Sequence, residues 1–128
     1  MKYFTKDYES NISLIDKELR VDKSFDMIER RLAAAEGEMC FFYIDGFTKD
    51  GEMLRIMQYL LSQKKIGSAS ELEKRLPYIE VELEGRVEKI IRAVMSGQTA
   101  LLAESFGGMA ILLDLRTYPS RQTAEPES

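Results

Sequence analysis

Six consecutive apolar residues, MCFFYI at positions 39–44, leave few options for the fold. A strand buried on one face alternates polar with apolar side chains. An unbroken run rich in aromatic residues is buried on both faces and belongs in the middle of a sheet. The run ends at Asp45, Gly46 and Phe47, and a helical pattern follows: Met53, Ile56, Met57, Leu60 and Leu61 give a broad apolar face, with Leu54 flanking it. Thr48 or Asp50 is expected to cap this helix, which should extend to about Lys64.

The remaining elements are read outward from that strand. After a polar leader, ISLIDKEL spaces Ile12, Ile15 and Leu19 as on a short helix. The segment DKSFDMIERRLAAAEGE predicts a second helix, capped by Ser24, with Phe25, Ile28, Leu32 and Ala35 on one face and Gly37 ending it. SASELEKRL offers a Ser68–Glu71 capping box for a short helix halted before Pro77. YIEVELE alternates, with Ile79, Val81 and Leu83 facing one way and Glu80, Glu82 and Glu84 the other. That pattern predicts a strand with one wet face, near an edge. RVEKIIRAVMSG is amphipathic through Val87, Ile90, Ile91 and Val94, and Gly97 stops it. TALLAES and MAILLDLRTY flank Phe106, Gly107 and Gly108, a hairpin signal.

The predicted order is α-α-β-α-α-β-α-β-β. It describes an α/β chain (α+β mixed): a mixed four-stranded sheet covered by helices, with a C-terminal hairpin. Residues 79–103 have the length of a right-handed βαβ crossover. Residues 1–20 are read as a polar leader with a short helix, 21–118 as a single domain, and 119–128 as a polar tail or linker.

Composition removes several functions. At 128 residues the chain fits one domain that needs no covalent staple. Eighteen basic residues stand against 22 acidic ones, a net charge of −4. With no basic block, attraction to nucleic acid or to an anionic membrane is not expected. Histidine is absent, so the usual general base and the commonest metal ligand are both missing. Cys40 is the single cysteine and sits inside the apolar run, which excludes an intrachain disulfide and a cysteine-based zinc site. No stretch approaches the ~20 apolar residues of a membrane span, and the N-terminus lacks the apolar core of a signal peptide.

Two carboxylates deserve a chemical hearing. Asp45 ends a buried strand, where phosphoryl-transfer enzymes keep a nucleophile. Such a site also needs a second carboxylate for Mg²⁺ and a cation to steady phosphate. The next acid, Asp50, falls where a helix cap is needed, so Asp45 is read as a turn residue and Gly46 as its permissive partner. Asp114 could join Asp45 in a carboxylate pocket, yet strand alternation alone places it beside Arg116. SFGGM matches no phosphate-binding loop. The acidic row Glu80, Glu82 and Glu84 is read as a solvated edge that repels strand addition. No nucleophile, base and oxyanion donor assemble, so no enzyme, cofactor or metal is expected. The alternative is a small-ligand or metal-ion sensor, a vestigial enzyme with a pocket near Asp45 and Asp114.

Several segments together resemble the GerA/SpoVAF family of spore germination proteins, in the N-terminal cytosolic region of the A-type subunit. They are DKSFDMIERRL, FFYIDGFTKDGEMLRIMQYLL, LPYIEVELE, SGQTALL and LLDLRTYPSRQTAEPES, in family order from Val21 to the end. LPYIEVE leans toward the SpoVAF branch. The resemblance implies a membrane protein of the inner spore membrane, with a hydrophilic N-terminal region facing the spore core. It implies protein partners, oligomeric assembly and a part in ion release through a channel. This chain stops at Ser128 before any membrane segment, so it is expected to be the first, soluble lobe of the cytosolic region. The family pattern reaches Asp45, Gly46, Phe47, Lys49 and Asp50 as an architectural turn. It reaches Arg116, Pro119, Arg121, Glu125 and Pro126 as contacts to the next lobe or to a partner.

Overall fold

The computed structural model describes residues 2–20, 26–34, 37–76 and 80–116. Among them the order is α1 (Tyr8–Leu19), β1 (Met27–Ala34), β2 (Gly37–Ile44), α2 (Asp50–Ser62), α3 (Ala69–Lys74), β3 (Val81–Glu84), α4 (Val87–Met95), β4 (Thr99–Ala103) and β5 (Ala110–Leu113). A turn of 3₁₀ helix, Glu104–Phe106, joins β4 to β5. The strands form one sheet in the order β1-β2-β4-β5-β3, and every neighbouring pair is antiparallel. The class is the expected one, a mixture of helices and strands. Strand count and order differ from the sequence reading.

Most of the difference comes from one segment. The predicted second helix is instead strand β1, paired with β2 from Met27↔Ile44 to Ala34↔Gly37. Gly37 does not end a helix; it opens β2 with φ 152. The physical reason lies in β2. A strand buried on both faces requires a ladder on both edges, and β4 serves only one of them. Ser24, Phe25 and Ala35, read as cap and apolar face of that helix, lie outside the described residues. The crossover is also changed. β3 and β4 run in the same direction, as a βαβ unit requires, but β5 lies between them and pairs with both, so the sheet is wholly antiparallel.

β2 divides the interior. Met39 and Phe41 face α2 and α3, packing with Ile56, Leu60, Leu72, Leu101 and Ile111. Cys40 and Phe42 face α1 and α4, packing with Ile12, Ile15, Ile90, Val94 and Leu102. Residues 41 and 42 are fully buried in different cores, as period-two alternation demands of a central strand. β4 repeats the arrangement and is buried at all five positions.

Helix ends follow local chemistry. Asp7 caps α1 by accepting from Ser10 N at 3.0 Å. Ser68 and Glu71 form the predicted capping box on α3. α2 departs from expectation: Lys49 occupies its N-cap without a side-chain hydrogen bond, and neither Thr48 nor Asp50 caps it. The first residues join the fold too. Phe4 is buried, and Phe4 N donates to Gly85 O at 2.9 Å. Arg31 ties the β1 edge to its neighbours through Glu9, Glu29 and Glu38 at 2.9–3.0 Å.

Candidate functional site

β2 and β5 run in the same direction because each is antiparallel to β4, so their carboxyl ends meet at one end of the sheet. Three connections converge there: the β2–α2 turn, the α4–β4 turn, and the exit from β5. The first turn is set by backbone bonds. Asp45 N donates to Asp26 O at 2.8 Å, and Phe47 N to Ile44 O at 3.2 Å. Gly46 sits at φ 92, a conformation glycine adopts without a Cβ clash. Lys49 N then donates to Leu115 O at 2.9 Å, next to an isolated bridge between Thr48 and Arg116.

Arg116 holds the convergence together. Its Nε and Nη2 each lie 2.8 Å from Asp114, on Oδ1 and Oδ2 respectively, and its Nη1 donates to Ser96 O at 3.3 Å. A planar guanidinium facing a carboxylate at two points is fixed in orientation as well as in place. Gly97, at φ 105, is the floor of the arrangement. A Cβ there would stand 2.9 Å from Arg116 Cδ and 3.0 Å from Phe47 Cδ2. The half-exposed ring of Phe47 and the stem of Arg116 therefore both rest on the same glycine.

Among the described residues this end of the sheet is organised by backbone hydrogen bonds and the Arg116–Asp114 pair. The Asp114 side chain is 9% exposed and paired to Arg116, whereas Asp45 is exposed in the turn. Asp114 lines a groove of about 390 Å³ with Glu80, Glu82 and Gln98, and Asp45 is not among its walls. Among the described residues no group of three or more acidic or cysteine side chains is placed to hold a metal ion. Asp114 is thus engaged by Arg116, and the groove it lines does not take in Asp45.

Other candidate groups are structural. Cys40 is fully buried, and burial pushes its thiol well above the ordinary range, away from the reactive thiolate. Ser96 Oγ donates to Ala93 O at 2.8 Å, Ser105 Oγ to Gly67 O at 2.6 Å, and Ser10 Oγ to the α1 cap Asp7. The acidic row on β3 is not uniformly wet. Glu80 and Glu82 are exposed, but the Glu84 side chain is 4% exposed and bound by Arg86 at 2.8 Å. β3 is an edge strand, as read.

Of the turn residues named from the sequence, Asp45, Gly46 and Phe47 form the turn, Lys49 is the helix N-cap and Asp50 opens α2. Arg116 lies at the exit from β5; Pro119, Arg121, Glu125 and Pro126 fall outside the described residues. The role of Gly97 as a floor was not seen in the sequence. The local sequence marks Gly97 only as a helix stop, since nothing near it announces that two distant side chains lean on it.

Comparison with known proteins agrees with the resemblance. A family profile described as Bacillus/Clostridium GerA spore germination protein matches residues 13–128. The stage V sporulation protein AF of Bacillus subtilis (strain 168) is 27% identical over 110 residues, covering 82% of this chain. The chain spans 22% of that relative's length. The crystal structure of the N-terminal domain of the A subunit of the Bacillus megaterium spore germinant receptor GerK3 superposes with a TM-score of 0.65. It does so over 92% of this chain and 99% of that one, at 14% identity, a likeness of fold. Among the described residues no helix is long and apolar enough to cross a membrane. The chain belongs to the GerA family of spore germination proteins.

Proposed function

We propose that this lobe is a non-catalytic assembly and signal-transmitting module of a spore germination membrane protein. On this reading it lies on the spore-core side of the inner membrane. It contacts neighbouring subunits and the rest of its own cytosolic region, and passes conformational change toward ion release. The observation that carries the proposal is the Arg116 clamp. Its side chain bonds Asp114 at the β5 exit and Ser96 O at the α4–β4 turn, while the backbone beside it meets the β2–α2 turn through Leu115 O and the Thr48–Arg116 bridge. Displacement of the chain at Arg116 is thereby coupled to three connections at once. Family membership supplies the setting.

The test uses the full-length germination protein in spores. Arg116→Lys keeps a positive charge beside Asp114, whose side chain is 9% exposed, but loses the two-point hold, so it should cost the lobe only about 1–2 kcal/mol of stability. Germination should nonetheless slow clearly, with protein level unchanged. Wild-type germination by full-length Arg116→Lys would reject the transmission role. Light scattering on the longer cytosolic region tests assembly separately; a strict monomer at high concentration would reject self-association through this region.

A further inference from the structure

Helix α1 meets the first two strands through two kinds of contact. Its apolar side chains Ile12, Ile15 and Leu19 are buried in the core that holds Cys40 and Phe42. Its polar side meets a cluster of carboxyl groups. Arg31 of β1 binds three of them: Glu29 at 2.9 Å, Glu9 of α1 at 3.0 Å and Glu38 of β2 at 3.0 Å. Tyr8 Oη adds a hydrogen bond to Glu38 at 3.0 Å. A fourth carboxyl, that of Asp16 on α1, is hydrogen-bonded to Glu29, and its Oδ1 lies in the interior. Among the described residues, four carboxyl groups from three elements thus gather around one guanidinium.

An ionised carboxylate is an acceptor only, so a hydrogen bond between two of these groups needs a proton on one partner. The surroundings select that partner. Burial works against the charge of Glu29, but the hydrogen bonds from Asp16 and Arg31 overcome it and hold the Glu29 carboxyl below its usual range. Glu29 therefore stays ionised and accepts, and Asp16 carries the proton. The other titratable and charged groups facing the pair are Tyr8 and Glu9 on α1, Arg31 on β1, and Glu38 and Cys40 on β2. Burial keeps Tyr8 and Cys40 neutral, and Arg31 is already engaged by three carboxylates. The Glu29 side chain is 19% exposed, so little water is at hand to screen a second negative charge beside it. We infer that Asp16 and Glu29 share one proton in the folded chain, and that this pair is a pH-sensitive fastener between α1 and β1. With the proton in place the bond ties helix to strand. Once the proton passes to solvent, two carboxylates confront each other in a largely enclosed contact and push α1 from the sheet. Asp16 holds its proton more tightly folded than unfolded. By linkage, the stabilisation is complete below the unfolded aspartate value of about 3.9 and is lost as pH rises through the folded one.

Carboxyl-carbon NMR titration of the 128-residue chain, paired with urea unfolding at each pH, tests it. The Asp16 carboxyl should titrate above the ordinary aspartate value, and Glu29 below 4.5. Asp16→Asn keeps a donor to Glu29 but has no proton to lose. Relative to that variant, the unfolding constant of the wild type should rise by up to about tenfold per pH unit between the unfolded and folded Asp16 values. Native-state hydrogen exchange should show the loss in α1: protection of its amides falls with rising pH in the wild type and holds in Asp16→Asn. Glu29→Gln removes the opposing charge, and Asp16 should then titrate lower than in the wild type. An Asp16 carboxyl that titrates at or below the ordinary value overturns the shared proton. So does a wild-type stability that runs parallel to that of Asp16→Asn at every pH. An Asp16 titration unmoved by Glu29→Gln assigns the proton to burial alone and overturns the pairing. Protection that falls equally in α1 and β2 overturns the fastener, since the whole fold would then loosen together.

Discussion

Leu60 and Asp45 stand fifteen positions apart and mark two opposite ways in which a residue matters. Leu60 is fully enclosed between α2 and the sheet, in the core that contains Phe41 and Ile56. Leu60→Ala should destabilise the fold by about 2–5 kcal/mol, the cost of lost burial plus the cavity left behind. Asp45 is exposed, and its backbone N–H donates to Asp26 O. Asp45→Asn keeps that bond and should cost about 1 kcal/mol or less. Urea titration of both variants checks the contrast; a large loss at Asp45 would show that its carboxylate carries part of the turn. At this scale the sequence was informative where alternation or capping chemistry is local. Ser68 and Glu71, three residues apart, announced their box. Gly97 did not announce its role, because the side chains resting on it come from positions 47 and 116.

Strand β1 shows why a local pattern can mislead at the scale of an element. Residues 24–36 have good helix formers and apolar side chains at helical spacing. Edge strands are poorly marked, since one rim and part of each face are wet and charges appear on both sides. The Glu29–Arg31 pair, two residues apart and joined at 2.9 Å, fits a strand, but in sequence it is a weak signal. The demand for β1 comes from elsewhere, from the need of β2 for a second ladder. At the other edge, the link from β3 to α4 carries a titratable bond. The Arg86 guanidinium holds the Glu84 carboxyl below its usual value of 4.5. A carboxyl lowered by folding contributes stability that is complete above the unfolded value and is lost as pH falls through the folded one. Acid unfolding between about pH 5 and 2 should therefore be less steep in Glu84→Gln than in the wild type. An identical pH profile would mean that the pair contributes nothing net.

Over the whole molecule, the sheet separates two cores that touch only across its backbone. Amides of β2 and β4, central and covered on both faces, should exchange slowest with solvent, near the global limit. Those of the edge strands β1 and β3 should exchange faster. Equal protection across all five strands, measured by native-state hydrogen exchange, would contradict that ranking. The two-sided covering has a further result for β2. In a strand with one wet face, slipping by one residue turns greasy side chains into water, and polarity alone forbids it. In β2 a slip would merely trade Phe41 for Phe42 between two oily compartments. The alignment must be indexed from outside, and an indexing mark is present: Glu38 N docks on the Glu104 carboxylate, at Oε1, 3.0 Å away near one end. That carboxylate acts as the detent of a sliding bolt whose own surface carries no notches.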